Sequence, residues 1–327
     1  MRACLGTVWL GVLVLAACGS NGVVTEVGSH KTSLTVLNGQ NLNGQNLNGQ
    51  NLNGQNLNGQ NLNGQNLNGP SLGNILQSVD MWGATVDCGS SVNNLVLNAT
   101  HFISTVDGAD KSHEAFVGVH FNGTAADGSY VALMIASVSP APEPNADLLT
   151  YEVQYEGPDG EWYPLCRDAN GDAINAIPVS GLWDYDQGIA GGGNFAQSSS
   201  QFTFACENAA IAKCILWGYR PWAKVGSTRL RPYHQACTRM VRGDFCGDGT
   251  PHTVDGNAIN LYDALGLQTS TENWVVEAKW GPNGATCFNA YNRSTQPVTC
   301  PSTATPPACT PSANPFADGS LLVNQIP

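Results

Sequence analysis

The stretch from His234 to His252 holds most of the groups that chemistry would need: His234, Cys237, Asp244, Cys246, Asp248 and His252. A thiolate beside an imidazole supplies a nucleophile and its general base, and a carboxylate can orient the ring. In a secreted hydrolase Cys246 or Cys237 would attack, His234 or His252 would take the proton, and Asp244 or Asp248 would hold the imidazole. The set His234, Cys237, Cys246 and His252 also has zinc-ligand chemistry, although it lacks the compact Cys-x-x-Cys pair of structural zinc sites. Nearness in sequence decides neither reading, because catalytic partners meet in space. The cysteine inventory favours a third use. Beyond the N-terminal segment the thiols are Cys88, Cys166, Cys206, Cys214, Cys237, Cys246, Cys287, Cys300 and Cys309, enough for four disulfides and one remainder. So many cysteines belong to an oxidising compartment. Structural bonding is therefore expected to absorb them, with no metal, no cofactor and no catalytic set. The Cys/His hydrolase near Cys246 is the alternative.

These cysteines sit on or beside two helical stretches, Asn208–Gly218 and Arg231–Val241. If the first is one helix, Cys206 and Cys214 lie roughly 12 Å apart at 1.5 Å per residue. A disulfide spans at most about 7 Å between Cα atoms, so each must pair elsewhere. Cys214 with Cys237, across the two helices, is the simplest pairing, and Cys300 with Cys309 would close the Pro-rich end. Upstream, Leu95–Ser104, Glu114–Phe121, Tyr130–Ser137, Leu148–Tyr155 and Glu161–Leu165 are rich in β-branched and aromatic residues. Asp107-Gly108, Asp127-Gly128 and Gly157-Pro158-Asp159-Gly160 punctuate them as turns. Trp274–Trp280 and Ala285–Asn289 read as a last strand pair. The expected fold is α+β and mainly β. It is an antiparallel sheet or sandwich with two short disulfide-linked helices, preceded by a repeat tether. The globular part has one core, or two joined near Pro140–Pro144.

Smaller motifs have plain readings. Asp168, Asn170 and Asp172 alternate as in a calcium loop, but no glutamate follows at EF-hand distance, so a turn is expected. Arg220-Pro221-Trp222 offers a cation and an indole to a ligand, or a Trp packed under a turn. Asn98, Asn122 and Asn292 stand in glycosylation-type triplets.

Several motifs occur together in order: Phe204-Ala205-Cys206, Ala212-Lys213-Cys214, Gly218-Tyr219-Arg220-Pro221-Trp222 and His234-Gln235-Ala236-Cys237. Arg242-Gly243-Asp244-Phe245-Cys246-Gly247-Asp248-Gly249 and His252-Thr253 follow. Together they resemble the ADYC domain of myxobacterial lipoproteins. The name-giving tetrapeptide is here Gly243-Asp244-Phe245-Cys246, with Gly for Ala and Phe for Tyr, so no role of that phenol carries over. The resemblance covers roughly half the chain and implies a class rather than an activity.

Met1-Arg2, the apolar run Leu5–Ala17 and the small residues at its end describe a secretory signal. Leu15-Ala16-Ala17-Cys18 is similar to a bacterial lipobox, which makes Cys18 the acylated first residue of the mature protein. Gly19, in place of an aspartate, points to outer-membrane sorting. Leucine then recurs at every fifth position from Leu37 to Leu72 in the unit Gln-Asn-Leu-Asn-Gly. The period resembles the pentapeptide-repeat family, whose coils need stacked turns to bury a core. Asn, Gln and Gly are poor core formers, so a flexible tether is expected; the alternatives are a short coil docked on the next domain and self-association through Asn/Gln ladders. A flexible tether reaches on the order of 40–45 Å between Cys18 and Ser78. The organisation is then 1–17 signal, 18–36 anchor linker, 37–73 repeat, 79–165 β-rich region, 166–299 ADYC-like domain and 300–327 Pro/Ser/Thr-rich tail.

Thirteen Lys and Arg against 25 Asp and Glu give a net charge of −12, which argues against nucleic acid as a partner. The expected partners are a membrane, through the lipid anchor, and an envelope or extracellular ligand. The expected role is an outer-membrane lipoprotein that displays a disulfide-stabilised domain for binding or adhesion.

Overall fold

The computed structural model describes residues 75–327, apart from 87–88, 107–108, 169 and 254–256. Cys18, the repeat over 37–73 and Cys88 lie outside the described residues.

The chain opens with β1 (Leu76–Asp80) and then a small meander of β2 (Asn93–Asn98), β3 (His101–Val106) and β4 (Ala109–Ser112). A single 3-10 turn, His113–Phe116, leads into β5 (His120–Ala125), followed by β6 (Tyr130–Pro140), β7 (Leu149–Glu156) and β8 (Trp162–Pro164). Next come β9 (Ala176–Ser180), the short pair β10 (Leu182–Trp183) and β11 (Phe195–Ala196), and β12 (Gln201–Cys206). The expected strand Glu114–Phe121 is interrupted because Gly118 takes φ +81° between the 3-10 turn and β5. Leu95–Ser104 likewise becomes two strands, turned on Ala99 at φ 55°.

Alternation makes the first core. In β5 the inward residues are Phe121, Gly123 and Ala125; in β6 they are Val131, Leu133 and Ile135; in β7 they are Tyr151, Val153 and Tyr155. The strands run in the order β6-β5-β1-β12-β9-β7, and β7 pairs back onto β6, so the antiparallel sheet closes into a six-stranded barrel with β8 hung on β7. Closure satisfies edges that an open sheet would expose. Phe102, from β3, plugs the barrel. Its ring meets Phe121, Tyr151 and Phe202 at centroid distances of 5.2–5.3 Å, and the Tyr151 hydroxyl donates to the Thr100 carbonyl at 2.9 Å. Pro140–Pro144 is therefore no joint between cores. Pro140 pairs with Leu149 inside the β6–β7 hairpin, and the change of core comes after Cys206.

There α1 (Ala210–Leu216) acts as a wedge. Ile211, Ala212 and Ile215 pack on the outward residues Ile177, Val179 and Ala205 of β9 and β12. Ala210 and Cys214 face the other way, into a second core. That core holds β13 (Lys224–Val225), β14 (Thr228–Arg229), α2 (Arg231–Arg242), β15 (Asn260–Asp263), β16 (Val275–Gly281), β17 (Gly284–Phe288) and β18 (Leu322–Ile326). The last four form a sheet in the order β15-β18-β16-β17. Residues 300–327 are thus more than a tail: β18, at the chain's end, is an inner strand, paired on both sides.

Candidate functional site

The candidate chemistry lies where α2 ends. Arg239 and Arg242 occupy the last turn of this helix, where a cation suits the negative end of the helix dipole. Gly243 closes the helix in the left-handed region at φ 61°; its N–H bonds Met240 O, and the Asp244 N–H bonds Arg239 O. This is a glycine-dependent C-terminal motif, and a Cβ at Gly243 would also stand 3.2 Å from the His252 backbone. The turn drops Asp244 into the interior beside Arg239, whose guanidinium is ion-paired to it. Arg242 Nη1 lies 4.0 Å from the same carboxylate. Asp244 also accepts the N–H groups of Asp248 and Gly249, each at 3.1 Å. Arg239 further donates to Gly192 O and to Asn194 Oδ1 at 2.6 Å, and Arg242 donates to Gly249 O at 2.7 Å. Burial pulls the Arg242 guanidinium down to about 10, against the opposing pull of Asp244. Two arginines, one aspartate and two glycine-rich loops, 186–194 and 247–249, form one dry knot.

Phe245 points the opposite way from Asp244. Its ring lies 5.2 Å from Trp280 and 4.9 Å from Phe288 in the second core. Cys246 is bonded to Cys300, with Cα atoms 5.4 Å apart. The tetrapeptide Gly243-Asp244-Phe245-Cys246 therefore ends a helix, sets one carboxylate between two buried arginines, fills a core and ties down the C-terminal segment. Each residue has a structural occupation.

The proposed catalytic and zinc groups are not brought together. Cys237 is bonded to Cys214 at a Cα separation of 5.8 Å, the pairing expected across the helices. Cys246 holds Cys300, so the sulfur proposed as nucleophile is in a disulfide. The imidazole of His234 is buried between Trp183 and the Ile211 carbonyl, with Nε2 3.1 Å from that oxygen. Because a carbonyl only accepts, Nε2 carries the proton. Burial drops this imidazole to about 4, so it stays neutral. His252 Nδ1 contacts Gly243 O at 3.2 Å. Among the described residues no group of three or more His, Cys, Asp or Glu side chains is placed to hold a metal ion.

One further expectation is revised. Cys300 and Cys309 do not close on each other, since Cys309 bonds Cys287 with Cα atoms 4.9 Å apart. The intervening Pro-rich segment runs as a strap across β17. Of the two readings of Arg220-Pro221-Trp222, the packed one fits: Trp222 lies against the core of α1, and the Arg220 guanidinium grips Asp147 of the β6–β7 loop through both terminal nitrogens and reaches Asn145 Oδ1 at 3.1 Å. It clamps the second region to the barrel. Cys166 and Cys206 are joined at a Cα separation of 5.5 Å beneath the barrel. Asp168 Oδ1 accepts the N–H groups of Asn170 and Asp172 at 2.8 and 2.9 Å, which makes that loop a turn. Sequence reading passed over Arg239 and Arg242, although two arginines in a helix's last turn followed by Gly-Asp were a visible signal.

This arrangement can be compared with known proteins. The ADYC domain model matches residues 113–294, more than half of the chain. The chain belongs to the ADYC family. The match starts in the 3-10 turn before β5 and takes in every barrel strand except β1, both helices and the β16–β17 hairpin. The knot at the end of α2 is thus where this ADYC chain carries the family's tetrapeptide. No curated protein and no solved structure matches the chain.

Proposed function

We propose that this ADYC chain is a bacterial outer-membrane lipoprotein, held by an acylated Cys18 and displaying its barrel on the Gln-Asn-Leu-Asn-Gly tether, and that it works by binding rather than catalysis. The observation that carries this reading is the use made of the reactive groups. Four disulfides consume Cys166, Cys206, Cys214, Cys237, Cys246, Cys287, Cys300 and Cys309. Crosslinking at this density suits a chain that leaves the reducing cytosol. No helix among the described residues is long and apolar enough to cross a membrane, and the lipobox supplies the attachment in this reading. Two acyl signals or more give stable anchoring.

Metabolic labelling with a fatty-acid probe, followed by membrane fractionation, tests it. The native chain should carry label and sediment with outer membranes, and Cys18→Ser should lose both properties. A Cys18→Ser chain that is processed and sediments unchanged would end the lipoprotein reading.

A further inference from the structure

The outer face of the barrel opposite α1 carries two largely exposed aromatic rings, Trp82 and Tyr130, and a half-buried third, Trp162. Trp82 is 75% exposed and Tyr130 is 68% exposed, although large rings at the surface of a stable domain normally tuck at least one face away. Their placement is not accidental to one loop. Val79 pairs with Gly123 of β5, and Thr85 pairs with His120 of the same strand, so Met81–Ala84 bulges beside β5 and lifts Trp82 clear of it. Gly83 makes room for this: a Cβ there would come within 2.9 Å of the Asn122 side-chain amide. Asn122 Oδ1 in turn accepts the Tyr130 hydroxyl at 3.0 Å. Two residues along the same face, the His120 ring meets Trp162 of β8 edge-on, with centroids 5.4 Å apart. The outward residue of β7 beside this row is Gln154, paired with Met134.

We infer that this face is a binding site for a neutral oligosaccharide. The face of an indole or phenol is electron-rich, and the C–H bonds of a pyranose ring carry a complementary partial positive charge. Side-chain amides both donate and accept, which matches the paired hydroxyls of a sugar. Trp82 follows β1 and Trp162 lies on β8, and the strands between them carry Asn122 on β5, Tyr130 on β6 and Gln154 on β7. Charge selects within the class of glycans. The strands β1, β5, β6, β7 and β8 contain no Lys or Arg. Residues 76–166 hold one Lys and no Arg against twelve Asp and Glu. An anionic polymer would meet an acidic surface without a counter-charge, whereas a neutral one would not be repelled. A protein partner fits less well, because Asn122, Gln154 and the Tyr130 hydroxyl break up the apolar surface, which between the rings is limited to Ala132 and Met134 of β6. The inference rests on the binding reading above, but not on the lipid anchor.

The test is tryptophan fluorescence titration of the detergent-solubilised full chain with cellohexaose, chitohexaose and, as the anionic counterpart, hexagalacturonate. A neutral hexamer should shift the emission with saturation at millimolar concentration or below. Trp82→Ala should weaken that binding by about tenfold or more, equivalent to about 1.4 kcal/mol, and leave the thermal midpoint unchanged. Tyr130→Phe should weaken it less, since the ring remains. Absence of binding by either neutral hexamer up to about 10 mM, preference for the galacturonate, or equal affinity in Trp82→Ala would overturn the site. So would self-association of the native chain that Trp82→Ala abolishes, which would assign the face to a second copy. Because detergent-solubilised protein is used, failure here leaves the fractionation result for Cys18→Ser standing, and the converse holds.

Discussion

From Leu76 to Cys206, among the described residues, the buried polar side chains are Ser78, Thr100, Ser104, Asn145, Thr150 and Thr203, all uncharged. After Cys206 the chain buries Lys213, Arg239, Arg242, Asp244, Asp248, Asp263, Glu277, Lys279 and Arg293. Covalent links follow the same division. Among the described residues one disulfide lies within the barrel region, and three lie beyond it. The barrel closes its sheet on itself around seven buried aromatic rings, with no buried ion among the described residues. The second region has two helices, one of only seven residues, and a four-stranded sheet reached through long irregular loops. Isolated helices of that length are marginal, so crosslinks and paired ion groups supply the order that its smaller core does not. Glu277 shows the pattern: it takes Arg293 through both carboxylate oxygens and also Asn324, whose Oδ1 accepts the Trp280 indole N–H at 2.7 Å. The lesson is that the family's tetrapeptide marks the place where this second strategy is concentrated.

The contrast is broken most severely by removing one ion from the knot. Asp244→Ala leaves Arg239 and Arg242 buried without their carboxylate, and such losses cost about 3–5 kcal/mol. Phe102→Ala in the barrel has a similar cost, about 3–5 kcal/mol, for a cavity instead of a charge. Limited proteolysis separates them: Asp244→Ala should open sites after residue 206 first, and Phe102→Ala sites before it. Identical cleavage patterns would mean that the two regions do not differ in this way.

A smaller effect is expected from the Cys214→Ser, Cys237→Ser double variant. The crosslink closes a separation of 23 residues, for which chain entropy predicts about 3 kcal/mol. Chemical denaturation should show that loss in the transition that reports the second region. A midpoint unchanged from the native chain would show that the helices hold without their link.

The smallest effects are those of pH. His234 is held neutral, near 4 against an ordinary 6.5. The unfolded chain therefore binds its proton first, and the stability from this group is lost as pH falls from 6.5 toward 4. Glu207, at the junction of the regions, is pushed up to about 7 by burial from an ordinary 4.5. Here the folded chain binds the proton more tightly, so stability declines as pH rises from 4.5 to 7. Glu207→Gln should remove that decline and raise the midpoint above pH 7, whereas His234→Gln should flatten the acid-side loss. A Glu207→Gln chain with the native pH profile would show that the carboxyl ionises as in water.

The difference between the regions also explains what the sequence disclosed. β5, β6 and β7 alternate because one face is buried and the other is not, and both helices carry their apolar residues at helical spacing. β12 and β9 escaped because they are buried on both faces: Phe202 and Phe204 point into the barrel, while Ala205 lies under α1 and Thr203, buried on the same outward side, donates to Gly181 O. Without a wet face there is no period to read. The segment after Cys300 looked like a tail because Pro, Thr and Ser dominate it, but composition is blind to the Cys246–Cys300 and Cys287–Cys309 links that bring Leu322–Ile326 back into the sheet. In the knot the residue types were legible. Their partners Gly192 and Asn194 lie 45 or more residues from Arg239, so their roles were not.

Hydrogen exchange by mass spectrometry, with the native chain compared before and after disulfide reduction, tests the central claim most directly. The account predicts that amides of β1, β5, β6 and β7 keep their protection on reduction, while those of α1, α2 and β15 to β18 lose theirs. Loss of protection in the barrel first, or in both regions together, would contradict the claim that the barrel stands on its aromatic core and the second region on its crosslinks.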